Sequence, residues 1–77
     1  MFDLYYSETC PYCRKVLDFL EKENIKFNPR DVSEPENLRK LLEKGGKAQV
    51  PFLVDNDHDF SMYESNDIIE YIRRLTR

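Results

Sequence analysis

The sequence predicts an α/β fold: one four-stranded mixed sheet with three helices, in the order β-α-β-α-β-β-α, as a single domain over residues 1–77. Three observations carry this. The alternating run Phe2-Asp3-Leu4-Tyr5-Tyr6 leads directly into a helical pattern that starts at Pro11. Two further helical stripes follow, one after Ser33 and one after Ser65. Between the second and third helices lie two short apolar runs separated by the polar turn Asp55-Asn56-Asp57, which reads as a hairpin.

Taken in order, strand one has period two, with Phe2, Leu4 and Tyr6 on its apolar face. Helix one runs from Pro11 to about Asn24. It carries Cys13, Val16, Leu17 and Leu20 inward and Arg14, Lys15, Asp18, Glu21 and Lys22 outward. Residues 25–32 alternate again, but Pro29 cannot donate to a ladder, so strand two belongs at an edge. Ser33-Glu34-Pro35-Glu36 has the spacing of a capping box, after which Leu38, Leu41 and Leu42 form a stripe that Gly45-Gly46 ends. Phe52-Leu53-Val54 and the run around Phe60 and Met62 supply the hairpin. Ser65 caps the last helix, with Ile68, Ile69, Ile72 and Leu75 inward and Arg73, Arg74 and Arg77 near its negative end.

A chain of 77 residues supports one modest core, and a single layer of helices on the sheet is expected. With 12 Lys+Arg against 15 Asp+Glu the net charge is −3, and no basic block stands out, which argues against nucleic acid or an anionic membrane as partner. The first residues include Asp3, with no positive segment and no sustained apolar run, so neither a signal peptide nor a membrane span is expected. A cytoplasmic monomer is the expectation, and there paired cysteines are usually catalytic.

The chemistry centres on Thr9-Cys10-Pro11-Tyr12-Cys13, a Cys-x-x-Cys at a strand-to-helix junction. A helix N-terminus points free N–H groups and the positive end of its dipole at a Cys10 sulfur in the cap position, which stabilises thiolate over thiol. Cys10 is therefore the expected nucleophile. Pro11 suits the first helical position, and Cys13, one helical step away, is the natural resolving thiol. A zinc site lacks ligands, since the chain has only these two cysteines and the single histidine His58. A disulfide closed over two residues is a poor staple. The third alternative is an inert Cys13 buried on the helix stripe. Asp55, Asp57 and Asp59 imitate the start of a calcium loop, but Phe60 stands where its glycine is needed; a solvated turn with an exposed His58 is the better reading.

With these residues in view, the chain resembles a glutaredoxin along nearly its whole length. Thr9 to Cys13 matches the active-site motif of that family, Val50-Pro51 its valine and cis-proline pair, and the start of the last helix its glutathione-binding segment. Pro51-Phe52-Leu53-Val54 followed by Tyr63-Glu64-Ser65-Asn66-Asp67-Ile68 is also similar to the N-terminal domain of glutathione transferases. The resemblance implies a thioredoxin-like fold and a thiol–disulfide oxidoreductase with glutathione as co-substrate and no tightly bound cofactor or metal. Its partners would be glutathionylated or disulfide-bonded proteins. A cis Pro51 would turn the N–H and C=O of Val50 toward Cys10, to pair with an extended cysteinyl unit. Gln49 is a further candidate contact. Ser65 and the N–H groups behind it suit the γ-glutamyl carboxylate, Glu64 or Asp67 its ammonium, and Tyr12 would cover one side of the peptide.

One departure stands out. Glutaredoxins usually carry a lysine three residues before the nucleophile, and Ser7 stands there with Glu8 beside it. The gap predicts weaker glutathione affinity or a less acidic Cys10, with Arg39, Lys44 or Lys47 as candidate substitutes. It also leaves room for a dithiol reductant recharged by thioredoxin reductase. Rivals from another class are a non-catalytic glutathione-binding module and an iron–sulfur carrier.

Overall fold

The computed structural model describes residues 1–76. Its elements follow the expected order: β1 (Phe2–Tyr6), α1 (Pro11–Lys22), β2 (Phe27–Asp31), α2 (Pro35–Gly45), β3 (Phe52–Asp55), β4 (Phe60–Tyr63) and α3 (Ser65–Thr76). The sheet has the order β2-β1-β3-β4, with β1 and β2 parallel and the other pairs antiparallel. Pro29 sits opposite Leu4 on the edge strand β2, where a missing donor on the outer side breaks no ladder.

Burial departs from the period-two reading of β1. Asp3, Leu4 and Tyr5 are all buried, whereas Phe2 and Tyr6 are only half-buried. The cause is a sheet covered on both faces. Leu4 and Leu53 pack with Val16, Leu17, Phe19 and Leu20 of α1 and with Ile68 and Ile72 of α3. On the opposite face Tyr5, Phe52 and Val54 pack against Leu41 of α2. The expected single helical layer is thus corrected to helices on both sides, and β3, buried throughout, reads as a continuous apolar run for that reason.

Helix ends also differ in detail. Pro35 takes the first position of α2, which makes Glu34 the cap residue and leaves Ser33 outside, so the capping box does not form. The Ser33 N–H donates instead to Asp31 Oδ1 at 2.9 Å, and Asn37 Nδ2 donates to Asp31 O at 2.9 Å and to Glu34 Oε2 at 3.1 Å. Within α2, Asn37 and Leu41 are buried, Leu38 is half-buried and Leu42 is exposed, contrary to the stripe expected. Gly46 closes the helix at φ 83°, donating its N–H to Leu42 O, a left-handed cap that glycine adopts without penalty. Leu75 of α3 is exposed rather than inward, because the last turn runs past the sheet-covering cluster. Arg73 and Arg74 lie in that last turn as expected; Arg77 lies outside the described residues.

The turn from Asn56 to Asp59 is exposed as expected, but Asp55 before it is not. Asp55 is 1% exposed. Its carboxylate accepts the Asp57 N–H at 3.0 Å, the His58 N–H at 3.3 Å and the Tyr71 hydroxyl at 2.6 Å, and pairs with His58 Nδ1 at 2.8 Å. His58 itself is exposed. Among the described residues no helix is long and apolar enough to cross a membrane.

Candidate active site

Cys10 occupies the cap position of α1 in extended backbone, φ −94° and ψ 114°, with Pro11 in the first turn. Its carbonyl accepts the Arg14 N–H at 3.0 Å, the first bond of the helix, and its own N–H donates to Ser7 O at 3.2 Å. Ser7 and Thr9 share a hydrogen bond between hydroxyls at 3.2 Å, which ties the turn before the thiol. The Cys10 sulfur accepts the Cys13 N–H at 3.3 Å and lies 3.9 Å from Val50 O. The two free cysteines differ sharply in setting. Cys10 is half-buried, whereas Cys13 is fully buried beneath the helix. Burial above all, then the hydrogen bond with Cys10, pushes the Cys13 thiol up to about 12.

Beside the thiol lies a cleft of about 520 Å³ lined by Tyr12, Gln49, Val50, Pro51, Glu64, Ser65, Asn66 and Asp67. Every residue expected to contact glutathione lines it, and Thr9 and Pro11 flank Cys10 in sequence. The Val50-Pro51 peptide is cis. Gln49 Nε2 donates to Glu64 Oε1 at 3.3 Å, so two of the expected contacts are joined to each other across the cleft.

Ser65 is placed differently from expectation. It is the buried first residue of α3 rather than its cap; Glu64 precedes it at φ 76° and its carbonyl accepts the Ile68 N–H at 2.9 Å. The first-turn N–H groups of Ser65, Asn66 and Asp67 have no carbonyl one turn back within the helix and border the cleft. Asn66 was not singled out in the sequence. Its place next to Ser65 in a helix's first turn is the signal that finds it. Asn66 Oδ1 accepts Lys15 Nζ at 2.5 Å, a link from α1 to α3.

Among the described residues, the cleft lining has two carboxylates, Glu64 and Asp67, and no cation. None of the three basic substitutes expected for the missing lysine lines it. Arg39 pairs with Glu36 and Glu43 along its own helix, Lys47 Nζ lies 4.9 Å from the centroid of the Tyr63 ring, and Lys44 borders a separate hollow with Val54, Asp59, Phe60 and Ser61. Lys15 alone among the cations named here hydrogen-bonds a lining residue. Among the described residues no three His, Cys, Asp or Glu side chains are grouped as metal ligands.

The family model described as "Glutathione S-transferase, N-terminal domain" matches residues 4–77. A glutaredoxin-like 8.6 kDa protein in the rubredoxin operon of Clostridium pasteurianum is 34% identical over 74 residues, which cover 91% of this chain and 99% of that protein. The chain belongs to this family and is glutaredoxin-like. Glutaredoxin 1 of Rickettsia prowazekii is 37% identical to the glutaredoxin-like chain over 59 residues, covering 71% of it and 62% of the relative's length. The glutaredoxin-like protein NrdH of Lactococcus lactis subsp. cremoris is 29% identical over 69 residues, or 88% of this chain and 94% of NrdH. Among solved structures, glutaredoxin 2 of Salmonella typhimurium in complex with glutathione superposes at a TM-score of 0.81 and 25% identity, over 97% of this chain and 34% of that one. The fold of the glutaredoxin-like chain is accordingly thioredoxin-like.

Proposed function

We propose that the chain is a thiol–disulfide oxidoreductase that reduces glutathione mixed disulfides and protein disulfides, with Cys10 as nucleophile and Cys13 as resolving thiol. One observation carries the reading: a half-buried thiol at a helix N-terminus opens beside a cleft in which Val50, Pro51 and the first turn of α3 converge. In the first step the Cys10 thiolate attacks the glutathione sulfur of a mixed disulfide. A Cys10–glutathione bond forms, and the substrate thiolate leaves and takes a proton from water. The thiolate of a second glutathione then attacks the glutathionyl sulfur, releasing oxidised glutathione and regenerating the Cys10 thiolate.

Protein disulfides take the dithiol route. The Cys10 thiolate attacks one protein sulfur and the other leaves as a thiolate; Cys13 then attacks the Cys10 sulfur, its proton passing to the second protein thiolate as that leaves. Two glutathiones reduce the internal disulfide that remains, one forming a mixed disulfide and the second displacing it as oxidised glutathione. The order of events follows from the setting of Cys13. Burial above all, with the Cys10 sulfur, holds it as a thiol, and derivatising Cys10 removes only the smaller part due to that sulfur, so Cys13 acts after Cys10 has reacted.

Glutathione would lie along the cleft with its cysteinyl backbone against Val50 and its γ-glutamyl carboxylate at the N–H groups of Ser65 and Asn66. Glu64 or Asp67 would meet the ammonium, and Tyr12 would cover the peptide. A monomer in the cytoplasm, acting on glutathionylated or disulfide-bonded proteins without a bound cofactor, goes with this reading. A second reading has one observation in its favour. Among the described residues the cleft offers carboxylates and no cation to a peptide of net negative charge, which suits a dithiol electron donor recharged by thioredoxin reductase.

Turnover of a small glutathione mixed disulfide separates the two, using wild type, Cys10→Ser and Cys13→Ser with glutathione and its reductase or with thioredoxin reductase. The first reading requires wild type and Cys13→Ser to turn over with glutathione and Cys10→Ser to be inactive. Turnover only with thioredoxin reductase, needing both cysteines, replaces it with the second.

A further inference from the structure

The segment that carries Val50 to the thiol, residues 46–51, belongs to neither α2 nor β3, yet Cys10 and the cleft depend on where it lies. What holds it is the end of β4. The Tyr63 hydroxyl donates to Lys47 O at 2.9 Å and accepts the Lys47 N–H at 3.3 Å, so one side-chain atom engages both backbone groups of that residue. The next residue, Glu64, accepts Gln49 Nε2. Tyr63 and Glu64 therefore grip the segment at two alternate positions just before Val50.

The ring of Tyr63 is itself fixed. It packs on Phe52 with centroids 4.5 Å apart, and Phe52 is its register partner on β3. Gly45 leaves the space the hydroxyl uses: a Cβ there would stand 2.1 Å from the Tyr63 oxygen. Lys47 Nζ lies 4.9 Å from the centroid of the same ring. A tyrosine placed only to fill the core would need no gap in a helix backbone for its oxygen.

We infer that Tyr63 is a positioning residue for the thiol site, its hydroxyl fixing the backbone that presents Val50 and Pro51 to the substrate beside Cys10. The inference rests on the proposed reading for its kinetic consequence, whereas its structural consequence is independent of it. Tyr63 touches no reacting atom. It acts through Lys47 and the segment that follows.

The test is Tyr63→Phe, with Tyr71→Phe as control, followed by steady-state kinetics on a glutathione mixed disulfide and by backbone hydrogen exchange. Loss of two hydrogen bonds to one residue predicts roughly a three- to tenfold rise in KM in Tyr63→Phe, with kcat at saturation unchanged. Amides of residues 47–50 should exchange roughly tenfold faster while those of β1 stay as they are. Tyr71→Phe removes a hydroxyl bonded to Asp55 at the far end of β3 and should leave KM and the exchange of residues 47–50 at wild-type values. Unchanged exchange in Tyr63→Phe overturns the inference, as does a Tyr71→Phe effect of equal size or a fall in kcat with KM unchanged. If wild type turns over no glutathione mixed disulfide, the functional reading fails and the exchange still decides the clamp.

Discussion

The backbone N–H of Cys13 donates to the Cys10 sulfur at 3.3 Å, so the second cysteine supports the first through its main chain while its own thiol lies fully buried. The two sulfurs of one short motif thereby take unequal roles. With Cys13 pushed up to about 12, chiefly by burial, alkylation by iodoacetamide at neutral pH should modify Cys10 and spare Cys13. The sign for stability follows: a thiol whose folded value is raised favours folding fully below its unfolded value, and that support is lost as pH rises through about 12. Peptide mapping after brief alkylation checks the order, and a Cys13 adduct appearing first contradicts it.

Asp55 anchors the β3–β4 turn to α3. Burial alone would raise its pKa, but hydrogen bonds from Tyr71, His58 and the Asp57 N–H outweigh it and hold the carboxyl below its ordinary value. A depressed carboxyl lends stability above its unfolded value and loses it as pH falls through the folded one, so the unfolding free energy should drop on acidification and should drop less in Asp55→Ala. At neutral pH that variant leaves the Tyr71 hydroxyl without its acceptor and should cost about 1–3 kcal/mol. Urea titration at two pH values measures both effects; an acid slope identical in variant and wild type is the contrary result.

Gly45 ends α2 within reach of Tyr63. Alanine gains about 1 kcal/mol of helix propensity over glycine, yet its Cβ would lie 2.1 Å from the Tyr63 oxygen and 3.1 Å from Phe52 Cε1. Overpacking of this kind costs about 1–3 kcal/mol, so Gly45→Ala should be net destabilising in denaturant unfolding. A more stable variant would show that the ring can move aside freely.

The leucines of α2 allow a plain comparison. Leu41 is 1% exposed and Leu42 45% exposed. Leu41→Ala should cost about 2–5 kcal/mol, whereas Leu42→Ala should cost under about 1 kcal/mol. Equal losses from the two would restore the stripe read from sequence.

That contrast also marks where sequence was legible. The order of elements and the thiol site depend on local signals: alternation into Cys10, Pro11 at a helix start, and Ser65 followed by a periodic stripe. These survive folding because neighbouring residues decide them. The faces of the sheet are decided at a distance. Tyr5 becomes buried because α2 crosses to the side away from α1, and Asp3 because Asn28, Arg30 and Asn56 close on its carboxylate, and nothing in Phe2-Asp3-Leu4-Tyr5-Tyr6 states this. Competition at a single step accounts for the capping error, where Pro35 takes the first helical position and displaces Ser33 by one residue. The cleft residues were legible through the family resemblance. Asn66, and the grip of Tyr63 on Lys47, need the folded chain to bring their partners together.

The measurement closest to the central claim is capture of the glutathionyl intermediate. Cys13→Ser incubated with oxidised glutathione should gain one glutathionyl group, mapped to Cys10 and removed by added glutathione, while Cys10→Ser gains none. A glutathionyl group found on Cys13 in Cys10→Ser, or none on Cys10 in Cys13→Ser, would contradict Cys10 as the nucleophile that takes glutathione.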